Sequence, residues 1–294
     1  MPRKFQIEPE ASRLEAAEAA LWEAGALAIT LLDAADQPLL EPGPGEMPLW
    51  QRVTLEALLP DAVDPIELAL RLTAMGLIDA PTAGRLTELP ERDWTRAWMD
   101  RFKPMRFGNS IWICPSHIEP EPDWPVVVRL DPGLAFGSGT HPTTALCLEW
   151  LDGLALEGRR VIDYGAGSGI LAVAAALKGA APVLAVDHDL QALLATADNA
   201  QRNGVAEQIE ALLPADLGPD PAQVVVANIL AGPLIELAAE ISARIAPGGR
   251  LALSGILAEQ ADAVREAYAA QLEFTGQGQR EEWILLSFQR PDAG

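Results

Sequence analysis

The chain has 294 residues, 49% of them hydrophobic, and a net charge of −21. That describes a folded chain with room for two domains, and the acidity opposes nucleic acid as a direct partner, since phosphate contacts need clustered Lys and Arg; it suits a basic partner or simply solubility. Cys114 and Cys147 are the only cysteines, which opposes a disulfide framework. No apolar run is long enough to span a bilayer, and the start Met-Pro-Arg-Lys-Phe-Gln-Ile-Glu lacks the apolar core of a signal peptide, so a cytoplasmic protein is expected.

In chain order, Lys4–Glu8 reads as a strand and Ala11–Ala24 as a helix with Leu14, Ala17, Leu21 and Trp22 on one face. Ala26–Leu32 and Trp50–Leu58 read as strands, separated by the Pro- and Gly-rich loop Asp36–Pro48. Pro65–Met75 reads as a helix with Ile66, Leu70 and Met75 sharing a face, and Arg85–Leu89 as a last strand. The order β-α-β-β-α-β is the ferredoxin-like split pattern, so residues 1–90 are expected to form a small α+β domain. That stretch holds 15 Asp/Glu against 6 Lys/Arg.

Residues 91–110 differ in kind, with five basic side chains against three acidic ones. Trp94, Trp98 and Phe102 recur at i, i+4, i+8, which predicts one aromatic helix face. It either packs on a neighbouring domain or serves as a hinge that orients one domain over the other.

Residues 111–294 alternate strand and helix. Val126–Leu130 reads as extended and Thr143–Leu154 as helical. Strands at 161–164, 183–187, 208–213, 223–227 and 250–254 are joined by helices at 168–178, 189–203 and 231–246, and a helix at 258–270 follows. Leu272–Thr275 and Trp283–Phe288 read as a hairpin joined by Gly-Gln-Gly-Gln. This predicts a doubly wound, mostly parallel sheet with one antiparallel strand added by the hairpin.

The chemistry gathers at strand ends. Val161–Gly169 reads Val-Ile-Asp-Tyr-Gly-Ala-Gly-Ser-Gly, a strand, a tight glycine turn and a helix start. Such a turn lets backbone approach a ligand where any Cβ would collide, and it aims helix N–H groups there. A nicotinamide or flavin fingerprint fits it only loosely, through Gly167, Gly169 and Ala172. Asp187 ends the next strand, where a carboxylate can accept from both hydroxyls of an adenosine ribose. Asp189 suits a helix cap, and His188 a surface position. Asn228 closes the strand Val224–Ala227 at the edge where open α/β sheets bind ligands, and is either a substrate-holding amide or a cap. Leu130–Thr144 is a Gly-rich loop running into a helix start at Pro142-Thr143-Thr144, suited to a carboxylate or other anion, or simply to capping. With His117, His141 and His188 dispersed, no metal cluster is visible, and no Ser/His/Asp signature either.

Together these residues resemble the class I S-adenosylmethionine-dependent methyltransferases. More closely, Leu130–Thr144, Val161–Ile170, Asn228–Pro233, Leu253–Leu257 and Trp94–Gly108 resemble the bacterial ribosomal protein methyltransferases that modify large-subunit ribosomal protein eleven. The resemblance covers nearly the whole chain. It implies a class I methyltransferase domain over 111–294, a substrate-recognition domain over 1–90 and a hinge over 91–110. It implies that Gly165 and Gly167 line the methionine moiety of S-adenosylmethionine, and that Asp187 holds the ribose. Thr144 would contact the cofactor, Asp163 would reach the methionine ammonium, and Asn228 would stand between cofactor and incoming nitrogen as the catalytic residue. It implies trimethylation of lysine side chains and the N-terminal α-amine of its ribosomal protein, and a monomer is expected. Ile229 and Leu230 follow Asn228 where enzymes acting on planar nitrogens carry an aromatic, so the pocket suits an sp³ amine. Tyr164 and Ala166 read as ordinary variation in the turn.

Overall fold

The computed structural model describes residues 3–35, 50–88, 102–131 and 140–292. It divides into two compact units, Met1–Ala97 and Trp98–Gly294. In the first unit, alternating apolar and polar residues make strands with one buried face: β1 (Arg3–Ile7), β2 (Ala28–Asp33), β3 (Val53–Leu59) and β4 (Arg85–Glu88). β3 alternates without a break, with Val53, Leu55, Ala57 and Leu59 buried. The strands pair antiparallel in the order β2-β3-β1-β4. Helices α1 (Leu14–Glu23) and α2 (Pro65–Ala74) complete this core. Asp64 caps α2 by accepting the Ile66 N–H at 2.8 Å, and Pro65 fits the first turn, where no N–H is needed.

Two predicted faces are corrected here. In α1, Leu14, Ala17 and Leu21 are buried as expected, with Ala20 beside them, but Trp22 is 47% exposed. Ile66, Leu70 and Met75 are exposed, whereas Leu68, Ala69 and Leu72 point into the core. α2 carries two overlapping apolar stripes, and core packing selects the one that periodicity did not favour.

In the second unit, seven strands stand in the order β10-β9-β8-β11-β12-β14-β13. They are β8 (Val161–Tyr164), β9 (Val183–Val186), β10 (Ile209–Leu212), β11 (Ala222–Asn228), β12 (Ile245–Leu257), β13 (Glu273–Arg280) and β14 (Trp283–Gln289). The run from β10 to β12 is parallel, and β14 is antiparallel to both its neighbours. β8 and β9 are buried at every residue, as strands covered on both faces must be. α3 (Pro142–Asp152), α4 (Ile170–Leu177) and α5 (Leu190–Arg202) share a core with Val161, Ala185 and Val226. α6 (Ala231–Glu236), α7 (Ala238–Ala243) and α8 (Ala261–Tyr268) share another with Ile162, Leu184 and Val225. The expected α/β sheet is thus present, covered by helices on both faces.

The chain adds a three-stranded sheet that sequence reading missed, in the order β5 (Met105–Phe107), β6 (Ile111–Cys114), β7 (Val126–Arg129). Met105–Phe107 therefore departs from the helical reading of 91–110; residues 89–101 lie outside the described residues. Gly276–Gln279 is not the hairpin joint but part of β13, and the chain turns at Glu281, whose φ is 56°. Among the described residues no helix is long and apolar enough to cross a membrane.

Candidate active site

The site is built at the carboxyl ends of β8, β9 and β11. Beyond β8, Gly165, Gly167 and Gly169 have φ of +81°, +55° and +73°, a region that side chains rarely adopt. A Cβ at Gly165 would collide with Cγ2 of Ile229, and one at Gly169 would meet Thr196 at 2.8 Å. Conformation and space therefore both require glycine at these two positions.

Asp187 follows β9 and is 9% exposed. Its Oδ2 accepts the Gly167 N–H at 2.9 Å and its Oδ1 the Asp189 N–H at 3.0 Å. An ionised carboxylate has about four lone-pair positions, so each oxygen has one beyond these bonds, with His188 Nδ1 3.6 Å from Oδ1. The turn and the acid are thereby locked into one cradle. Asp189 caps α5 through the Gln191 N–H at 2.8 Å, as its position suggested. The His188 side chain is exposed at the rim.

Asn228 is the half-buried last residue of β11. Its Nδ2 donates to Thr144 Oγ1 at 3.4 Å. It is not a helix cap, since α6 has Leu230 at that position with no side-chain cap. Thr144 is fully buried, and its neighbour Thr143 lines the cavity instead. His141 caps α3, with Nδ1 2.8 Å from Thr143 Oγ1.

These residues surround one cavity of about 620 Å³. Gly165, Asp187, Asn228 and Thr143 line it, and Val186, Ile229, Leu230, Pro233 and Leu237 make its wall predominantly aliphatic. Asp163 lies beneath, fully buried, with Oδ2 accepting the Ala172 N–H at 3.0 Å and Oδ1 without a hydrogen-bond partner. Burial pushes its carboxyl up to about 7; the Ala172 bond opposes this, and the nearby Asp187 charge adds to it. Of the residues singled out in sequence, the structure brings Gly165, Asp187 and Asn228 to the cavity. Gly167 joins through Asp187, and Thr144 and Asp163 stand behind the lining.

Three lining residues escaped sequence reading. Tyr164 donates its hydroxyl to Glu240 Oε1 at 3.0 Å, and both face the cavity. Trp283, the first residue of β14, meets the His141 ring edge-on, with centroids 4.9 Å apart and planes at 66°. Tyr164 alone carried a signal, a large polar residue inside a glycine turn; Glu240 and Trp283 arrive from distant segments.

The cradle fits a ribose-bearing ligand, with two further acceptor positions beside glycines where a Cβ cannot be placed. The family model described as ribosomal protein L11 methyltransferase (PrmA) matches residues 2–291. A ribosomal protein L11 methyltransferase of Pseudomonas aeruginosa (strain LESB58) is 52% identical over 98% of this chain and 97% of its own length. One from Aliivibrio fischeri (strain MJ11) is 53% identical over 90% of both chains. A crystal structure of a ribosomal protein L11 methylase from Lactobacillus delbrueckii subsp. bulgaricus matches 65% of this chain and all of its own, at 31% identity and a TM-score of 0.59.

Proposed function

This chain belongs to the ribosomal protein L11 methyltransferase family, and from that premise we propose that it methylates lysine side chains and the N-terminal α-amine of ribosomal protein L11. It is a methyltransferase, and S-adenosylmethionine is its methyl donor. The observation that carries the amine reading is the amide of Asn228 in a cavity walled by Ile229, Leu230 and Leu237, with no aromatic directly after it to stack on a flat target.

When bound, S-adenosylmethionine supplies an electrophilic methyl on a sulfonium sulfur. Asp187 would accept from the ribose hydroxyls, while Gly165 and Gly167 admit the methionine moiety. Because Asn228 Nδ2 is engaged by Thr144, Oδ1 is the atom that accepts an N–H of the incoming amine and aims its lone pair. A lysine has a reference pKa of about 10.4 and must shed a proton first. Aliphatic walls favour the neutral amine by desolvation, so catalysis rests on positioning and desolvation, with no dedicated base. Asp163, behind the lining, would act on the methionine ammonium only through the turn, and Thr144 on the substrate only through Asn228.

The strand order β2-β3-β1-β4 supports reading residues 1–90 as a ferredoxin-like domain. Its 15 acidic against 6 basic residues support a basic ribosomal protein as what it grips. Residues 91–110 would act as the hinge to the methyltransferase domain of 111–294. We read the enzyme as a cytoplasmic monomer that makes no direct nucleic-acid contact. Peptide mapping of L11 after incubation with the enzyme and S-adenosylmethionine tests the amine reading. Methyl groups are expected on lysines and the N-terminus, and methylation confined to carboxylate or amide side chains would refute it.

A further inference from the structure

Trp283 and His141 line the same cavity as Asn228, yet they have no part in the chemistry above. Their rings meet edge-on at 4.9 Å. His141 is itself held through Nδ1 by Thr143, so the half-buried indole has a fixed neighbour. Trp283 is the one tryptophan among the described lining residues, and its partner ring is His141. We propose that Trp283, braced by His141, is the wall against which the methylated ammonium packs, and that it sets how many methyl groups one nitrogen receives. The inference rests on the amine reading above.

The chemistry of successive transfers gives the reason. In each round an N–C bond forms as the S–CH₃ bond breaks, and the nitrogen's proton leaves to solvent. The neutral lysine amine that attacks has two N–H donors, its monomethyl form one and its dimethyl form none. Asn228 Oδ1 can hold a nitrogen only through an N–H, so its grip weakens with every round. An aromatic face attracts the cation without any N–H and packs its methyl groups. The burden of binding therefore passes from Asn228 to Trp283 as methylation proceeds.

The test compares unmethylated L11 with L11 whose lysines have been reductively dimethylated, using the wild type, Trp283→Phe and Trp283→Leu. Trp283→Leu should lower kcat/KM on the dimethylated substrate about tenfold more than on the unmethylated one, and mono- and dimethyl products should accumulate. Trp283→Phe should restore most of the trimethyl product. General damage to the fold would lower both substrates together and leave their ratio unchanged. An unchanged ratio with Trp283→Leu, or full trimethylation by it, overturns the inference. A wild type that methylates no amine of L11 would overturn the functional reading, and this inference with it.

Discussion

Nδ2 of Asn228 stands 3.4 Å from Oγ1 of Thr144, joining the end of β11 to the first turn of α3. Thr144 is completely buried while Asn228 is only half-buried, so the threonine is a fixed post and the amide its projecting arm. With Nδ2 turned to Thr144, Oδ1 is the atom left for the amine in the proposed reading. Asn228→Ala should lower methyl transfer about a hundredfold, the scale of a misplaced reacting group. The variant should still melt like the wild type and still be stabilised by S-adenosylhomocysteine. Normal turnover in it would remove Asn228 from the site.

Asp187 binds two backbone N–H groups and keeps two acceptor positions. Asp187→Ala should abolish the rise in melting temperature that S-adenosylhomocysteine gives the wild type, since each hydrogen bond to a charged group is worth about 1.5–3 kcal/mol. NAD should shift neither protein. A shift with NAD in the wild type would favour a nicotinamide enzyme built on the same turn.

Gly165→Ala places a methyl group against Ile229 at a φ of +81°. The conformation alone costs about 1–2 kcal/mol, and Ile229, a cavity wall, must move. Calorimetry should show the variant folded but with weakened binding of S-adenosylhomocysteine. Binding at wild-type strength would show that the turn tolerates a side chain.

Asp163 gives a pH signature. Its pKa in the fold, about 7, lies above the ordinary carboxylate value of 3.8, so the folded state binds the extra proton between those values. Its contribution to stability is fully present below about pH 4 and declines as pH rises through 7. Asp163→Asn keeps an acceptor for the Ala172 N–H and has no charge to bury. Relative to the wild type it should gain stability from pH 4 to 7 and level off above. Parallel denaturation curves at every pH would contradict this.

Asp152 does the opposite. Its side chain is 4% exposed; it forms an ion pair with Lys178 at 3.2 Å and accepts the Asn109 N–H at 2.5 Å and the Ser110 hydroxyl. Burial raises its pKa, but the bonds from Ser110, Asn109 and Lys178 outweigh that and hold it below the usual range. Its contribution is thus present above the unfolded pKa and is lost as pH falls through the lower folded value. Asp152→Ala should cost about 3 kcal/mol in urea unfolding at neutral pH by taking the counter-charge from Lys178 and the acceptor from Asn109 and Ser110, and a loss below about 1 kcal/mol would show the pair to be incidental.

What could be read in the sequence depended on whether residue type alone sets the role. Only glycine suits the backbone at 165 and 169, and an acid at 187 offers one oxygen to the Gly167 N–H and the other to the Asp189 N–H, so these positions were legible. Thr143 and Thr144 are neighbours of one type, and the rotation of α3 decides which faces the cavity; spacing carries no information about that phase. α2 offered two apolar stripes, and only the assembled core distinguishes Leu68 and Leu72 from Ile66 and Leu70. Gly276 and Gly278 looked like a turn, but a register shift between Phe274 and Gly276 admits them to β13. Trp283 reaches the cavity only because β14 inserts beside β12, a pairing that local pattern does not encode.

On the proposed reading, this cavity methylates amines of ribosomal protein L11. The most direct test is to incubate the purified enzyme with the unfractionated large-subunit proteins and methyl-labelled S-adenosylmethionine, then resolve the products by mass. Label is expected on L11, with Asn228→Ala leaving it nearly unlabelled; label on other proteins with none on L11 would contradict amine methylation of L11 by this cavity.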